Sequence, residues 1–348
     1  MHFHPSHNAD IINYFYTNYS TCPKDTGVFA TWQFLAYFSH SVFFIQIPLV
    51  IFTGYCILKK TPKEMGSLKW AMLNVHIWST YMDILVCTLV TPYIYYPVMA
   101  GFSVGLFQVL GVPVWVQAYV GTISVSFVFS SICALFENRS SSFEINRFRF
   151  ERTTTRFAFF GTNSIVYSLC FIPVYSNLPD QDEAKLFFLK QLPCPTIHFF
   201  EFPIFVLFVD NFYYYYMAIV MSVQATFMLF LCVFFIACTT YYIFFSSGVN
   251  YSKRTKKLQK VFFIGNLIQI TIPSAFYVVP LCFTVVFYLL DYNNQGLINI
   301  GFALMSLHNL ASMIAVLMIH SPYRLYIFKI IGLRGAQKPS FQVSIVST

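Results

Sequence analysis

Charge is scarce in this sequence. Only 10% of its 348 residues are Asp, Glu, Lys or Arg, while 57% are hydrophobic and 20% aromatic; an ordinary soluble domain carries about 25% charged residues. A chain of this length with so little polar surface excludes aqueous enzymes, nucleic-acid binders and disordered proteins. No Walker lysine motif, GxGxxG, HExxH or CxxC pair occurs. The common signatures of nucleotide, dinucleotide and zinc chemistry are therefore missing, and neither catalytic residues nor a cofactor is expected. No internal repeat is found, which weighs against the alternative reading of a small-solute transporter or channel built from duplicated halves.

What is present is a series of long apolar runs. A helix needs about 20 apolar residues to cross a bilayer. Seven runs meet or approach that length: Trp32–Leu58, Trp70–Tyr96, Gly111–Phe136, Phe157–Tyr175, Tyr213–Phe245, Val261–Leu290 and Leu297–Ile319. The first 31 residues hold no short apolar core before a small-residue cleavage site, so no cleavable signal peptide is expected. Of the 21 Lys and Arg residues, 18 fall between runs one and two, three and four, five and six, or after run seven. The positive-inside rule then puts the N-terminus outside and the C-terminus in the cytosol. The expected fold is an all-α membrane protein, a seven-transmembrane bundle. Its parts are an extracellular arm (1–31), a receptor domain (32–319) and a cytoplasmic tail (320–348). The net charge of +8 is a sided distribution and needs no nucleic-acid partner.

An ordered set of local motifs adds to this pattern. Gly54–Met65 and Leu68–His76 bracket the first cytosolic turn, followed by Trp78, Ser79 and Asp83. Thr91-Pro-Tyr93, Leu110-Gly-Val-Pro113 and Leu135-Phe-Glu-Asn-Arg139 come next, then Leu178–Lys185, Leu192-Pro-Cys194, Thr255–Lys260 and His320-Ser-Pro-Tyr-Arg324. Together they resemble the nematode serpentine chemoreceptors of class H over nearly the whole chain. Asn309 departs from the pattern, standing after His308 where a small residue is more usual. The resemblance implies a chemosensory receptor of the plasma membrane, displayed on sensory-neuron cilia. It would bind a small odorant- or pheromone-like ligand and act through a heterotrimeric G protein.

Individual residues then acquire expected roles, each with a plainer alternative. Glu137 and Arg139 form an acidic–x–Arg arrangement at the cytosolic end of run three, either a signalling switch or a topology anchor. Asp83 is the one acid inside a run. A carboxylate there costs about 3 kcal/mol to insert and seeks interior partners. Asn299, Ser306, His308 and Asn309 are its candidates. With His308 and Asn309, Asp83 is expected to act in the switch as a polar hinge or ion site linking ligand binding to the cytosolic end. The alternative is a protonated or hydrogen-bonded packing residue. Pro273 in run six removes a helical hydrogen bond and allows a pivot. Pro322, Tyr323 and Arg324 follow run seven and complete the expected switch set. Gln117, Tyr119, Tyr277 and Tyr288 are expected to line an aromatic ligand pocket. Cys22 and Cys194, the two cysteines outside apolar runs, are expected to form a disulfide across the extracellular side. Asn18 begins a usable glycosylation sequon, whereas the sequons at Asn138 and Asn250 lie on the cytosolic side. Lys253–Lys257 with Lys260 offers contact to a G protein or to anionic membrane lipid. His2, His4 and His7 lack the acidic or cysteine partners a metal site would want.

Overall fold

The computed structural model describes residues 8–23, 27–62, 66–96, 98–245, 253–289 and 294–332. Helix dominates. In chain order the helices are α1 (Ala9–Tyr16), α2 (Trp32–Lys60), α3 (Gly66–Ile84), α4 (Leu106–Val109), α5 (Val114–Ser140), α6 (Thr153–Cys170) and α7 (Ile172–Ser176). They continue as α8 (Gln181–Gln191), α9 (His198–Glu201), α10 (Asn211–Phe244), α11 (Lys253–Leu289), α12 (Gln295–Met305), α13 (His308–Ile319) and α14 (Ser321–Ile330). Each of the seven expected apolar runs contains helix. Among the described residues, five stretches are long and apolar enough to cross a membrane: Trp32–Lys60, Val114–Ser140, Thr153–Ser176, Asn211–Phe244 and Gln295–Ile319.

Starts are set by side-chain oxygens. Thr31 caps α2 by accepting from the Phe34 amide, Asp210 caps α10 through Phe212, and Asn294 caps α12 through Leu297. Each satisfies one of the orphan amides of a first helical turn. Helix α5 is the central member. Its buried face is built from Ser124, Ser126, Ser130, Ser131 and Cys133, small side chains that let neighbouring backbones approach where lipid supplies no hydrophobic force between helices. Ser130 and Ser164 share a 2.7 Å hydrogen bond between α5 and α6.

Two expectations are corrected. The fold is not wholly helical: strands β1 (Pro92–Tyr95), β2 (Ala100–Ser103) and β3 (Phe205–Val206) form an antiparallel sheet in the order β1-β2-β3. The second run accordingly does not stay helical to Tyr96. Helix α3 widens into a π-helical turn over Leu85–Leu89, and the chain then enters β1. Thr91 is forced to a positive φ of 44° at that junction, a conformation disfavoured for a β-branched residue. Gly101 lies opposite Ile94, where an added Cβ would sit 2.3 Å from the Tyr93 carbonyl oxygen. Only glycine fits there.

The sheet, α1, α8 and α9 make a cap over one end of the bundle. Its core includes Tyr93, Tyr95, Phe102, Phe188, Phe199 and Val206, packed on Leu35 and Ala36 of α2. The buried Tyr93 hydroxyl donates to the Ala30 carbonyl at 2.6 Å. Burial raises the Tyr95 phenol well above its usual range, so it remains a neutral hydrogen-bonding group beside Thr196 at 3.0 Å. Gln295 of α12 donates to the Ile94 carbonyl at 3.0 Å, tying the bundle to the sheet.

Candidate functional site

The cap is stapled. Cys22 and Cys194, 172 positions apart, are joined by a disulfide. Tyr14 of α1 adds a hydrogen bond to the Pro193 carbonyl at 3.0 Å. The arm preceding α2 is therefore folded against the segment that follows α8. Asn18 lies in this arm with its side chain exposed, whereas Asn138 is only 7% exposed. Asn250 and the three N-terminal histidines lie outside the described residues.

Below the cap, a polar cluster gathers where two helices are irregular. Asp83 ends the regular part of α3, just before the π-helical turn, and α12 breaks from α13 around Ser306 and Leu307. Asp83 is 1% exposed. The Cys87 thiol donates to its Oδ1 at 3.4 Å, and His308 Nδ1 lies 4.0 Å away. Asn309 donates to the Gln46 Oε1 at 3.4 Å in the same buried cluster. Gln46 donates to the Ser306 carbonyl at 3.1 Å, while His40 donates to the Cys87 carbonyl at 2.7 Å. Helices α2, α3 and α13 thus meet through buried polar groups, each satisfying another, as low-dielectric burial requires.

The structure brings Asp83, Ser306, His308 and Asn309 together but not Asn299. That residue lies two helical turns away, about 10 Å along the axis, where it donates to the Phe29 carbonyl at 2.8 Å and accepts from Gln295. Sequence reasoning missed Gln46, His40 and Cys87. Gln46 shares the long apolar run of α2 with Gln33, and nothing local singles out one amide from the other.

At the far end of the bundle, Glu137 and Arg139 do not pair with each other. Residues two apart on a helix do not face each other. Glu137 is fully buried, accepts from Ser141, and is ion-paired with Arg156 of α6, whose second nitrogen bonds Oε1 at 3.2 Å. Arg139 points elsewhere. It is 5% exposed, with its guanidinium 5.8 Å from the ring centre of Phe262 in α11, and its Nε and Nη2 have no hydrogen-bond partner among the described residues. The Phe262 ring stacks on His320 at 4.9 Å. Burial, followed by the Arg139 charge, holds the His320 imidazole down at about 3, so it is neutral at physiological pH. Gly265 permits this contact, since a Cβ there would lie 3.1 Å from the imidazole. Pro322 sits in the first turn of α14. Tyr323 is fully buried with its hydroxyl 2.6 Å from Thr61, and Arg324 donates to the Met318 carbonyl at 2.8 Å.

The expected pocket residues do not converge among the described side chains. Gln117 is buried and donates to the Val112 carbonyl at 2.8 Å, steadying the turn before α5. Tyr119 donates to the Ser168 carbonyl at 3.1 Å and packs its ring on Tyr175, so it faces α6. Tyr277, Tyr288 and Pro273 lie on α11, and their side chains are outside the described residues. A cleft of about 310 Å³ is lined by Ile77, Trp78, Tyr81, Val120, Ile123, Ser124 and Phe127, and a second of about 370 Å³ by Arg147–Phe150 with Phe159 and α10 phenylalanines. Neither includes Gln117 or Tyr119.

Comparison with known proteins supplies the family. The model described as "Serpentine type 7TM GPCR chemoreceptor Srh" matches residues 30–333, from the end of the arm through α14. The chain belongs to this serpentine chemoreceptor family. Serpentine receptor class H-72 of Caenorhabditis elegans is 34% identical over 341 residues, which cover 98% of this chain and 97% of the relative. The family is one of receptors rather than enzymes, and the matched region contains both the Asp83 cluster and Arg139. As a member of the Srh family the chain is a multi-pass membrane protein, and the small-ligand and G-protein partners usual for such receptors are the general expectation.

Proposed function

We propose that this Srh-family chain is a seven-span chemosensory receptor of the plasma membrane of sensory cilia, with its capped end outside and its C-terminus in the cytosol. A small extracellular ligand, odorant- or pheromone-like, favours a conformer that activates a heterotrimeric G protein. The observation that carries this reading is Arg139. It is a buried cation at the cytosolic end of the third span, lying against Phe262 of the sixth with two nitrogens unpartnered among the described residues. A buried charge without a carboxylate is costly. Movement of the sixth span would uncover it for an acceptor on another protein. The 18-to-3 division of basic residues supports the orientation. The Asp83 cluster, which couples three spans midway, supports a link from the outer half to the inner one. A ligand needs only a few kcal/mol of differential affinity to shift such an equilibrium.

The test is a reporter assay in cells carrying a promiscuous G protein, with a panel of volatile and soluble compounds. A compound that activates only receptor-bearing cells is the expected result. Ligand-dependent solute flux or conductance in the absence of any G protein would replace this reading with the transporter or channel alternative.

A further inference from the structure

Helices α5 and α10 bring two thiols into contact. Cys133 Sγ lies 2.8 Å from Cys232 Sγ, less than an ångström beyond the bonded S–S distance of about 2.05 Å. The Cys133 side chain is seated between residues one turn apart on α10. Its thiol reaches the Met228 carbonyl at 3.4 Å and lies 3.8 Å from Met228 Sδ. The two sulfurs differ in access. Cys133 is fully buried, whereas Cys232 is half-buried on a helix whose neighbouring Leu229, Phe230 and Val233 side chains are exposed. Those exposed neighbours are apolar, so Cys232 is approached from the hydrocarbon side. Among the described free cysteines this is the pair whose sulfurs touch.

We infer that Cys133 and Cys232 form a modification site: a dithiol that an organic hydroperoxide dissolved in the bilayer oxidises to a disulfide joining α5 to α10. The more accessible Cys232 sulfur attacks the outer peroxide oxygen. The O–O bond breaks, and the departing alkoxide takes up the thiol proton and leaves as an alcohol. Cys232 is then a sulfenic acid. Cys133 attacks that sulfur, the S–O bond breaks, and the hydroxyl leaves with the Cys133 proton as water. Two thiols and one hydroperoxide thus give one disulfide, one alcohol and one water. The second step is intramolecular between groups already in contact, which is the arrangement that outpaces competing reactions. The inference is independent of what the receptor binds or how it signals.

The experiment uses the full-length protein in lipid nanodiscs treated with cumene hydroperoxide. Free thiols are then alkylated under denaturing conditions, and the protein is digested without reductant for mass spectrometry. The expected result is a peptide pair linking Cys133 to Cys232 in most chains, lost on reduction, with the Cys22–Cys194 pair as an internal standard. In Cys133→Ala the linked pair is lost, and Cys232 is trapped by dimedone as the sulfenic acid. The measurement on the unmodified chain stands even if that variant folds poorly. Both thiols alkylated after oxidation, Cys232 linked to a different cysteine, or Cys232 advancing to sulfinic acid beside a free Cys133 would each overturn the site.

Discussion

Glu137 is held by Arg156, nineteen residues on in the next helix, rather than by Arg139 on its own helix. The pair is asymmetric. The Glu137 side chain has no exposure, while that of Arg156 keeps 17%. Removing the arginine strands a carboxylate in the protein interior, whereas removing the carboxylate leaves a guanidinium that reaches water. Breaking a buried pair costs about 3–5 kcal/mol. Arg156→Leu should therefore fall near the top of that range and Glu137→Gln well below it. Thermal unfolding of the detergent-solubilised receptor measures both, and equal losses would mean that the pair behaves as exposed.

Arg139→Ala should reach the cell surface but activate G protein at least about tenfold less well, since hydrogen bonds to charged groups contribute about 1.5–3 kcal/mol. Arg139→Lys should restore only part of the response, because lysine keeps the charge but lacks the planar fork. Arg147→Ala removes a charge from the same connecting segment and serves as control. Equal signalling by the two alanine variants at matched surface levels would reduce Arg139 to a topology anchor.

The disulfide of the cap closes a loop of 172 residues, and loss of a native bridge typically costs about 2–5 kcal/mol. Cys22→Ser and Cys194→Ser should lower surface expression to the same extent. The double variant should be little worse than either, because two groups sharing one bond are not additive. Flow cytometry on intact cells distinguishes this from summed losses.

Asn18 should carry the glycan, and its exposure on the arm leaves room for one. Asn18→Gln should abolish the glycosidase-sensitive shift on electrophoresis, while Asn138→Gln and Asn250→Gln should leave it unchanged. A glycan mapped to Asn138 would invert the proposed orientation and would also require a nearly buried side chain to turn outward.

Gly265→Ala should weaken the packing of α11 on the end of α13 and the start of α14. The new methyl would meet His320 and Ile319 at about 3 Å, and overpacking typically costs about 1–3 kcal/mol. A lowered melting temperature is expected. Unchanged stability would show that His320 can step aside.

The apolar runs were legible in the sequence because crossing a membrane is a local demand on some twenty consecutive residues. The same logic hid the cap. Pro92–Tyr95 is as apolar as the helix before it, so it reads as a continuation. Its strand identity depends on Gly101 opposite Ile94 and on Phe205 and Val206, about a hundred residues away. Asp83 was legible as the one acid in a run, and His308 and Asn309 as residues that come into its neighbourhood. Gln46 was not, because an amide in an apolar helix gains meaning only when Ser306 and Asn309 arrive beside it. The partner of Glu137 was obscured by the loop before α6. Five basic residues, Arg156 included, follow Glu137 up to position 156, and charge counting cannot say which of them meets the carboxylate.

The contact between Gly265 and His320 also has a mechanical reading. His320 packs its ring 5.5 Å from that of Tyr323, whose hydroxyl holds Thr61 at the end of α2. Helix α11 therefore bears on a train of closely meshed parts that runs through the start of α14 to the end of α2. A lateral push at Gly265 has no slack to be absorbed in, since no side chain separates backbone from imidazole. The rim of the bundle remote from the cap would then alter its outline as a unit, and the α14 helix would serve as the far arm of a lever whose fulcrum is a histidine.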